Sequence, residues 1–348
     1  MALPDTSKRV TLTQVARAAG VSVMTASYTY NQPSRVSDES RAKVLAAAAE
    51  LGYAGPDPRG RSLRRGASRA LGVVLGEHLS YAFEDPQAAA FLAGIADVCA
   101  EHAYGMTILP ITGAADDVAR IRSAAVDAFI LWTTTEDDPV VAAVRAMKRP
   151  AVVHGGPAVP DLGLVSIDNR AAARAVGEVV FAHTNRPAIV SFPLTRDREG
   201  GIISGPDTTR VLFPVTRHRL EGYRQAAEAA GLAWKDVIVA VCPRNDPSEG
   251  ERAAAMLLAS PEPPDAIAAM SDQLASGILQ AAHTAHHGVP TDLAVTGWDD
   301  APIAADLGLT TVAQSLRAQG SACAQAALGQ EAPLNSPWSI VRRRTTRP

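Results

Sequence analysis

Residues 10–52, VTLTQVARAAGVSVMTASYTYNQPSRVSDESRAKVLAAAAELG, read as three short helices with a tight turn between the first two. Thr11 with Gln14 three residues on forms a capping box, and Val10 can staple onto Val15 across it. The first helix therefore begins at Leu12 and runs to Ala19, where Gly20 stops it. Ser22 caps a second helix from Val23 to about Tyr30. The break from Gly20 to Ser22 is so short that the two helices must cross steeply rather than lie antiparallel. Ser37 caps a third helix, with Val44, Leu45, Ala48 and Leu51 on one face and Gly52 as its terminator. The spacing predicts a small helix-turn-helix unit.

Charge is distributed unevenly around this stretch. Residues 1–69 hold eleven Lys and Arg against five Asp and Glu, a net +6, whereas residues 70–348 hold 22 against 31, a net −9. A basic head on an acidic body is expected where only the head meets a polyanion.

Three segments, VTLTQVARAAGVSVMTASYTYN, RVSDESRAKVLAAAAELGY and GRSLRRG, resemble the DNA-binding head and hinge of the lactose-repressor/galactose-repressor (LacI/GalR) family of transcriptional regulators. The similarity continues through the body to the C-terminus. It implies a helix-turn-helix domain at 1–58, a hinge helix or linker at 59–69, and an effector-binding and dimerisation domain at 70–348. The last would comprise an N-subdomain (70–163 and 311–337) and a C-subdomain (164–310 and 338–348), with chain crossings near Leu164, Thr310 and Pro337.

The resemblance places the second helix in the major groove, with Val23, Met24 and Tyr28 where the family reads base edges and Ser22, Thr25, Ser27 and Asn31 where it binds phosphates. Thr11 and Arg41 complete the set in the head. A polar residue such as arginine is more usual in the family where Tyr28 stands. Met24 and Val23 cannot make bidentate hydrogen bonds, so readout leans on thymine methyls, the Tyr28 hydroxyl and DNA bending. In the linker, Gly55, Pro56 and Pro58 break any helix, and Arg61 to Arg65 are too few to form a helix that is stable alone in water. The family's hinge helix forms on operator DNA, where a leucine wedges between base steps. Leu63 matches that leucine, with Gly60 and Arg61 before it. A flexible basic tether is the alternative reading.

The chain has 348 residues, 47% apolar and 20% charged, a globular balance with room for about two or three domains. Cys99, Cys242 and Cys323 are far apart and lack a C-x-x-C pair, so buried free thiols are expected rather than disulfides or a zinc site. No long apolar run follows the N-terminal charges, and no membrane-spanning stretch is visible. The expected address is cytoplasmic, on the nucleoid when DNA-bound.

From Ala70 onward, short apolar runs alternate with helical patterns, as expected of βαβ units and parallel sheets buried on both faces. The runs are LGVVLG (71–76), GMTILPI (105–111), AFILWTT (128–134), PAVVHGG (150–156), LVSID (164–168), PAIVSF (187–192), DVIVAVC (236–242), DAIAAM (265–270) and LAVTGWD (293–299). The fold class is thus α/β: an all-α head, then a two-subdomain periplasmic-binding-protein-like body of doubly wound sheets.

Ligands in such sheets bind beyond the C-terminal ends of the strands, which nominates Glu77, Trp132, His154, Trp298 and Asp299. The resemblance adds Arg219 in TRHRLEGYRQA and Asp272 in MSDQLASG, and returns to Asp299 in VTGWDD. An arginine fork and a carboxylate suit ligand hydroxyls, and an indole face suits a sugar or base ring. Ser271 and Asp272 also read as a simple helix N-cap, and Trp132 equally as core. The family often ends the strand PAVVHGG with Asp where Gly155 stands, and Glu77 occupies a place where a small polar residue is common.

Taken together, the expectation is a repressor, not an enzyme, that binds a near-palindromic double-stranded operator as a homodimer or higher oligomer. A small, sugar-like effector would switch it, with no cofactor, metal or membrane involved. His283, His286 and His287 lack a third ligand, and no phosphate-cradling loop or G-x-S-x-G elbow occurs. Two other readings stay open: a small-molecule binder without DNA function, and a sugar- or nucleotide-processing enzyme on the same body.

Overall fold

A computed structural model describes residues 10–55 and 67–348. Gly60, Arg61 and Leu63 lie outside the described residues. The chain divides into two compact units that part between Ser68 and Arg69.

In the first unit, α1 (Leu12–Ala18), α2 (Val23–Asn31) and α3 (Asp38–Glu50) enclose a small core of Val15, Ala16, Ala26, Val44, Ala47 and Ala48. The caps form as the residue types require. Thr11 N donates to Gln14 Oε1 (2.7 Å) and Gln14 N to Thr11 Oγ1 (3.4 Å). Ser22 and Ser37 accept from Thr25 N (3.0 Å) and Ser40 N (3.3 Å). Gly20 and Gly52 take the left-handed conformation that ends α1 and α3, with φ of +65° and +67°. One expectation is corrected. The buried face of α3 is Val44, Ala47 and Ala48, an i, i+3, i+4 stripe, so Leu45, one step round the helix, and Leu51, past its end, are 44% and 39% exposed.

The second unit carries two sheets. The first is all parallel, in the order β2-β1-β3-β4-β5, from β1 (Ala70–Leu75), β2 (Gly105–Pro110), β3 (Ala128–Trp132), β4 (Ala151–His154) and β5 (Gly163–Val165). Helices α4 (Tyr81–Glu84), α5 (Pro86–Glu101), α6 (Asp117–Ser123) and α7 (Pro139–Ala146) connect these strands. Alternate side chains feed two cores: Leu71, Val73, Leu75 and Ile130 on one face, Val74, Phe129, Leu131 and Val153 on the other.

The second sheet has seven strands: β6 (Pro187–Ser191), β7 (Gly201–Ser204), β8 (Ile238–Val241), β9 (Ala266–Ala269), β10 (Ala294–Asp299), β11 (Thr310–Ala313) and β12 (Ser339–Val341). Their order is β12-β11-β10-β9-β6-β8-β7, and the two edge strands run antiparallel to their neighbours. Helices α8 (Asn169–Phe181), α9 (Pro214–Ala229), α10 (Pro247–Leu258), α11 (Asp272–Thr284) and α12 (Pro302–Leu307) go with it. Helix α13 (Leu316–Ala327) returns to the first sheet and contributes Leu316, Ala322, Cys323 and Ala327 to its core. It lies backbone to backbone against α5: a Cβ on Gly320 would fall 2.1 Å from the Phe91 carbonyl oxygen, and one on Gly94 2.0 Å from that of Arg317.

The first two crossings between lobes fall slightly later than expected. β5 still pairs in the first sheet, so the first crossing follows Val165, and β11 pairs in the second, so the next runs through Gln314 and Ser315. The last precedes β12, where Ser166 bridges to Asn335.

Candidate DNA-binding face and ligand cavity

On α2 the caps and core decide which side faces out. Ala26 and Thr29 are buried, and Thr29 Oγ1 donates to the Thr25 carbonyl (3.1 Å), leaving Val23 (47% exposed) and Met24 (64%) on the surface. Together they form a small apolar surface at the start of the helix. Neither α1 nor α2 has an acidic residue in its first turn, whereas α3 has Asp38 and Glu39. The positive end of the α2 dipole is thus open to an external anion, and that of α3 is answered from within. Ser27 and Asn31 sit one turn apart, Asn31 Nδ2 donating to the Ser27 carbonyl (3.0 Å), and Arg35 lies 5.7 Å from the Tyr28 ring centre. Thr11, Ser22 and Arg41 are exposed, while Thr25, Ser27, Tyr28 and Asn31 are half-buried.

In the body, a cavity of about 590 Å³ lies between the two sheets, beyond the C-terminal ends of their strands. Of the seven residues expected there, Glu77, Trp132, His154, Arg219 and Asp299 line it together; Asp272 and Trp298 do not. The reason is strand geometry. Successive side chains of β10 point to opposite faces, so when Asp299 enters the cavity Trp298 turns into the core, where it is fully buried. There its indole is a platform for Arg219, whose guanidinium carbon sits 3.8 Å from the ring centre. Asp272, at the start of α11, braces the same region. It accepts from Ala301 N and from the Thr311 hydroxyl, both at 2.7 Å, and burial raises its pKa to about 6.

Arg219 is held by three further groups: Nε donates to Asn169 Oδ1 (3.0 Å), Nη1 to the Met270 carbonyl (2.5 Å), and Phe192 lies 5.4 Å from the guanidinium. Burial lowers its pKa to about 10, partly offset by the charge of Asp299, so it stays cationic. Asp299 has φ +115° and Asp300 φ +53°, a strained turn that aims the Asp299 carboxyl into the cavity. Burial raises its pKa well above the ordinary value, Asp272 raises it further, and Arg219 pulls it back. Burial likewise raises Glu77 and Asp85, and lowers His154 to about 4.

Side chains that the sequence did not single out complete the site. Tyr81, Asp85, Asn245, Gln314, Gln319 and Arg198 all line the cavity. Asn245 follows β8, where the strand-end rule would find it. Gln314 and Gln319 follow β11, whose threonines hide it as an apolar run. The loop from β6 to β7 straps one lobe to the other. Arg198 pairs with Glu77 (2.7 Å) and donates to the Gly76 carbonyl (3.1 Å). Arg196 pairs with Asp137 (2.8 Å) and with the Thr135 hydroxyl. Asn245 Nδ2 donates to Asp85 Oδ2 (2.8 Å).

Cys99, Cys242 and Cys323 are buried free thiols. Among the described residues, no group of three or more His, Cys, Asp or Glu is placed to hold a metal ion, and no helix is long and apolar enough to cross a membrane.

Comparison with known proteins agrees with both regions. Residues 11–55 match the family described as bacterial regulatory proteins, lacI family, and residues 201–346 match a periplasmic binding protein-like domain. A helix-turn-helix-type transcriptional regulator of Mycobacterium tuberculosis is 35% identical over 318 residues, 89% of this chain and 88% of that protein. The regulator IpsA of Corynebacterium glutamicum is 32% identical over 317 residues, again 89% and 88%. Among solved structures, a LacI-family transcriptional regulator from Corynebacterium glutamicum aligns with a TM-score of 0.72 at 27% identity, covering 98% of this chain and 100% of that one. A complex of the regulator CelR with cellobiose aligns at 0.65 and 25% identity, covering 97% and 100%.

Proposed function

Because the chain belongs to the LacI family of DNA-binding transcriptional regulators, we propose that it represses transcription as a dimer on a near-palindromic operator and is switched by a neutral, polyhydroxylated effector in the body cavity. One head offers few base contacts, so two-fold symmetry is needed to build a specific site. Val23, Met24 and Tyr28 would face base edges, and Ser22, Thr25, Ser27 and Asn31 the phosphates. Leu63 in the linker would act as the wedge that bends the duplex.

The observation that carries the effector reading is the lining of the cavity, in which carboxyl side chains outnumber the arginines Arg198, Arg219 and Arg244 and lie among amides and the rings of Trp132 and Phe192. Paired acids, amides and an aromatic face are the groups that bind sugar hydroxyls and ring C–H faces. The solved CelR complex holds cellobiose, which makes carbohydrates the first class to screen. Effector binding would change the angle between the lobes and cost the DNA complex about 1 to 3 kcal/mol of coupling energy.

The test is fluorescence anisotropy on duplexes from upstream of the gene, in a salt series and with a carbohydrate panel. A specific site should bind far more tightly than random duplex, with a log-log salt slope near −0.9 per neutralised phosphate. At least one sugar should shift that affinity. Arg219→Ala should abolish the shift and leave operator affinity near normal. Equal binding to all duplexes would end the operator proposal, and a normal response in Arg219→Ala would end the role of Arg219.

A further inference from the structure

A continuous hydrogen-bonded relay crosses the cavity wall from one lobe to the other. Gln314 Nε2 donates to Asp299 Oδ1 (2.8 Å), Gln319 Nε2 donates to Gln314 Oε1 (3.0 Å), and Gln319 Oε1 lies 2.8 Å from His154 Nε2. It starts at the end of β10, passes through the crossing segment and α13, and finishes at the end of β4. His154, Gln319 and Asp299 are buried, at 7%, 1% and 8% exposure.

The relay has a direction. As placed, Gln314 turns its amide nitrogen to Asp299, whose Oδ1 accepts, and its oxygen to Gln319. Gln319 must then donate to Gln314 and offer its oxygen to His154. The histidine is therefore required to carry its hydrogen on Nε2. Its other nitrogen, Nδ1, is left as a bare lone pair, buried and without a hydrogen-bond partner, on a side chain that lines the cavity. Thr134 Oγ1, which lines the same cavity, is likewise buried without a partner. Buried polar atoms in folded proteins are nearly always satisfied; of the five side-chain atoms without a partner among the described residues, these two belong to side chains that line the cavity, where a ligand could supply what is missing.

We propose that His154 Nδ1 is the acceptor through which the cavity selects its effector, so that the effector presents a hydroxyl or N–H donor at that point and ligands offering only a carboxylate, phosphate or ether oxygen there are rejected. This rests on the reading of the cavity as the effector site and adds a chemical sign to it. Gln314 and Gln319 are positioning residues that set the tautomer. The low proton affinity of the buried imidazole keeps it neutral near neutral pH, which preserves the lone pair. Asp299 is the controlling end: a proton on its Oδ1, the oxygen that faces Gln314, would let it donate to Gln314, turn both amides over and move the imidazole hydrogen to Nδ1. The tautomer of His154 is thus a direct readout of the relay.

The experiment uses the full chain, isotope-labelled at the imidazole nitrogens, with long-range proton–nitrogen correlation spectra near neutral pH and His154 assigned by its loss in His154→Gln. The expected spectrum shows hydrogen on Nε2 and a bare Nδ1. Gln319→Leu should release the lock and mix the tautomers. Cellobiose, D-glucose, D-ribose and D-gluconate are then titrated, with binding followed by calorimetry. Any sugar whose binding depends on Trp132 should also shift the Nδ1 resonance, and its deoxy counterpart lacking the matching hydroxyl should bind about tenfold to a hundredfold more weakly. A hydrogen on Nδ1 in the wild type, or a sugar that fills the cavity without moving Nδ1, overturns the proposal. If no sugar binds, the carbohydrate reading of the cavity falls, while the tautomer still decides the relay.

Discussion

In the head, the outward face at the start of α2 is Val23 and Met24, without an ionisable group, and the core side chains all lie between Val15 and Ala48. In the body cavity, Glu77, Asp85, His154, Arg219 and Asp299 are brought together from both lobes, and burial shifts the pKa of each. On the proposed function, the head would meet its target with shape and methyl groups on a locally encoded scaffold. The cavity would meet its ligand with polar groups whose strength depends on being out of water. The first should fail by losing its small core, the second by losing one partner in a network.

The largest effect is expected from Ala26→Asp, which puts a charge in the head core. Operator binding should fall by about a thousandfold or more, on the order of 4 kcal/mol. All four tryptophans lie in the body, so their fluorescence should show its thermal transition unchanged. A shifted transition would break the picture of two independently stable units.

The next effect sharpens the cavity side. His154 titrates at about 4 when folded against 6.5 ordinarily, a depressed value, so its contribution is complete above pH 6.5 and is lost as the pH falls through about 4. The difference between wild type and His154→Gln in urea unfolding should change by about 3 kcal/mol across that window. The raised carboxyls Glu77, Asp85 and Asp299 act in the opposite sense, losing their contribution as the pH rises through their folded values. Glu77 and Asp85 are present in both proteins, so the difference reports the histidine together with its relay to Asp299. An unchanged difference would mean that His154 is not desolvated.

Smaller again is Ser37→Ala, which removes the α3 cap and should lower head stability by about 1 kcal/mol in amide exchange without altering the unfolding of the body. Smallest is Arg196→Ala. Its partner Asp137 is 63% exposed, and loss of such a pair should change body stability by only about 0.5 kcal/mol in the same urea titration. A loss of several kcal/mol there would move the strap from the surface into the stabilising core.

Legibility followed the same division. The head could be read from Thr11, Gln14, Ser22 and Ser37 because caps are local chemistry, whereas the buried face of α3 needed the packing of its neighbours before Leu45 and Leu51 were seen to point outward. The nine apolar runs each became a strand. β7, β11 and β12 escaped because two are short edge strands with half-exposed or exposed side chains and the third is made largely of threonine. Glu77, Trp132, His154, Arg219 and Asp299 could be nominated singly from strand ends and motifs. That Trp298 lies beneath Arg219, or that Gln314 and Gln319 tie Asp299 to His154, depends on chain segments that meet only in three dimensions.

The strap between β6 and β7 has a kinetic corollary. Arg198–Glu77 and Arg196–Asp137 tie the two lobes, so a change in the angle between them must part these pairs before new ones form. Ligand exchange that needs such a change should run slower than diffusion, and the occupied state should outlast the encounter. The protein would then respond to the average supply of its ligand over the bound lifetime and smooth over brief fluctuations.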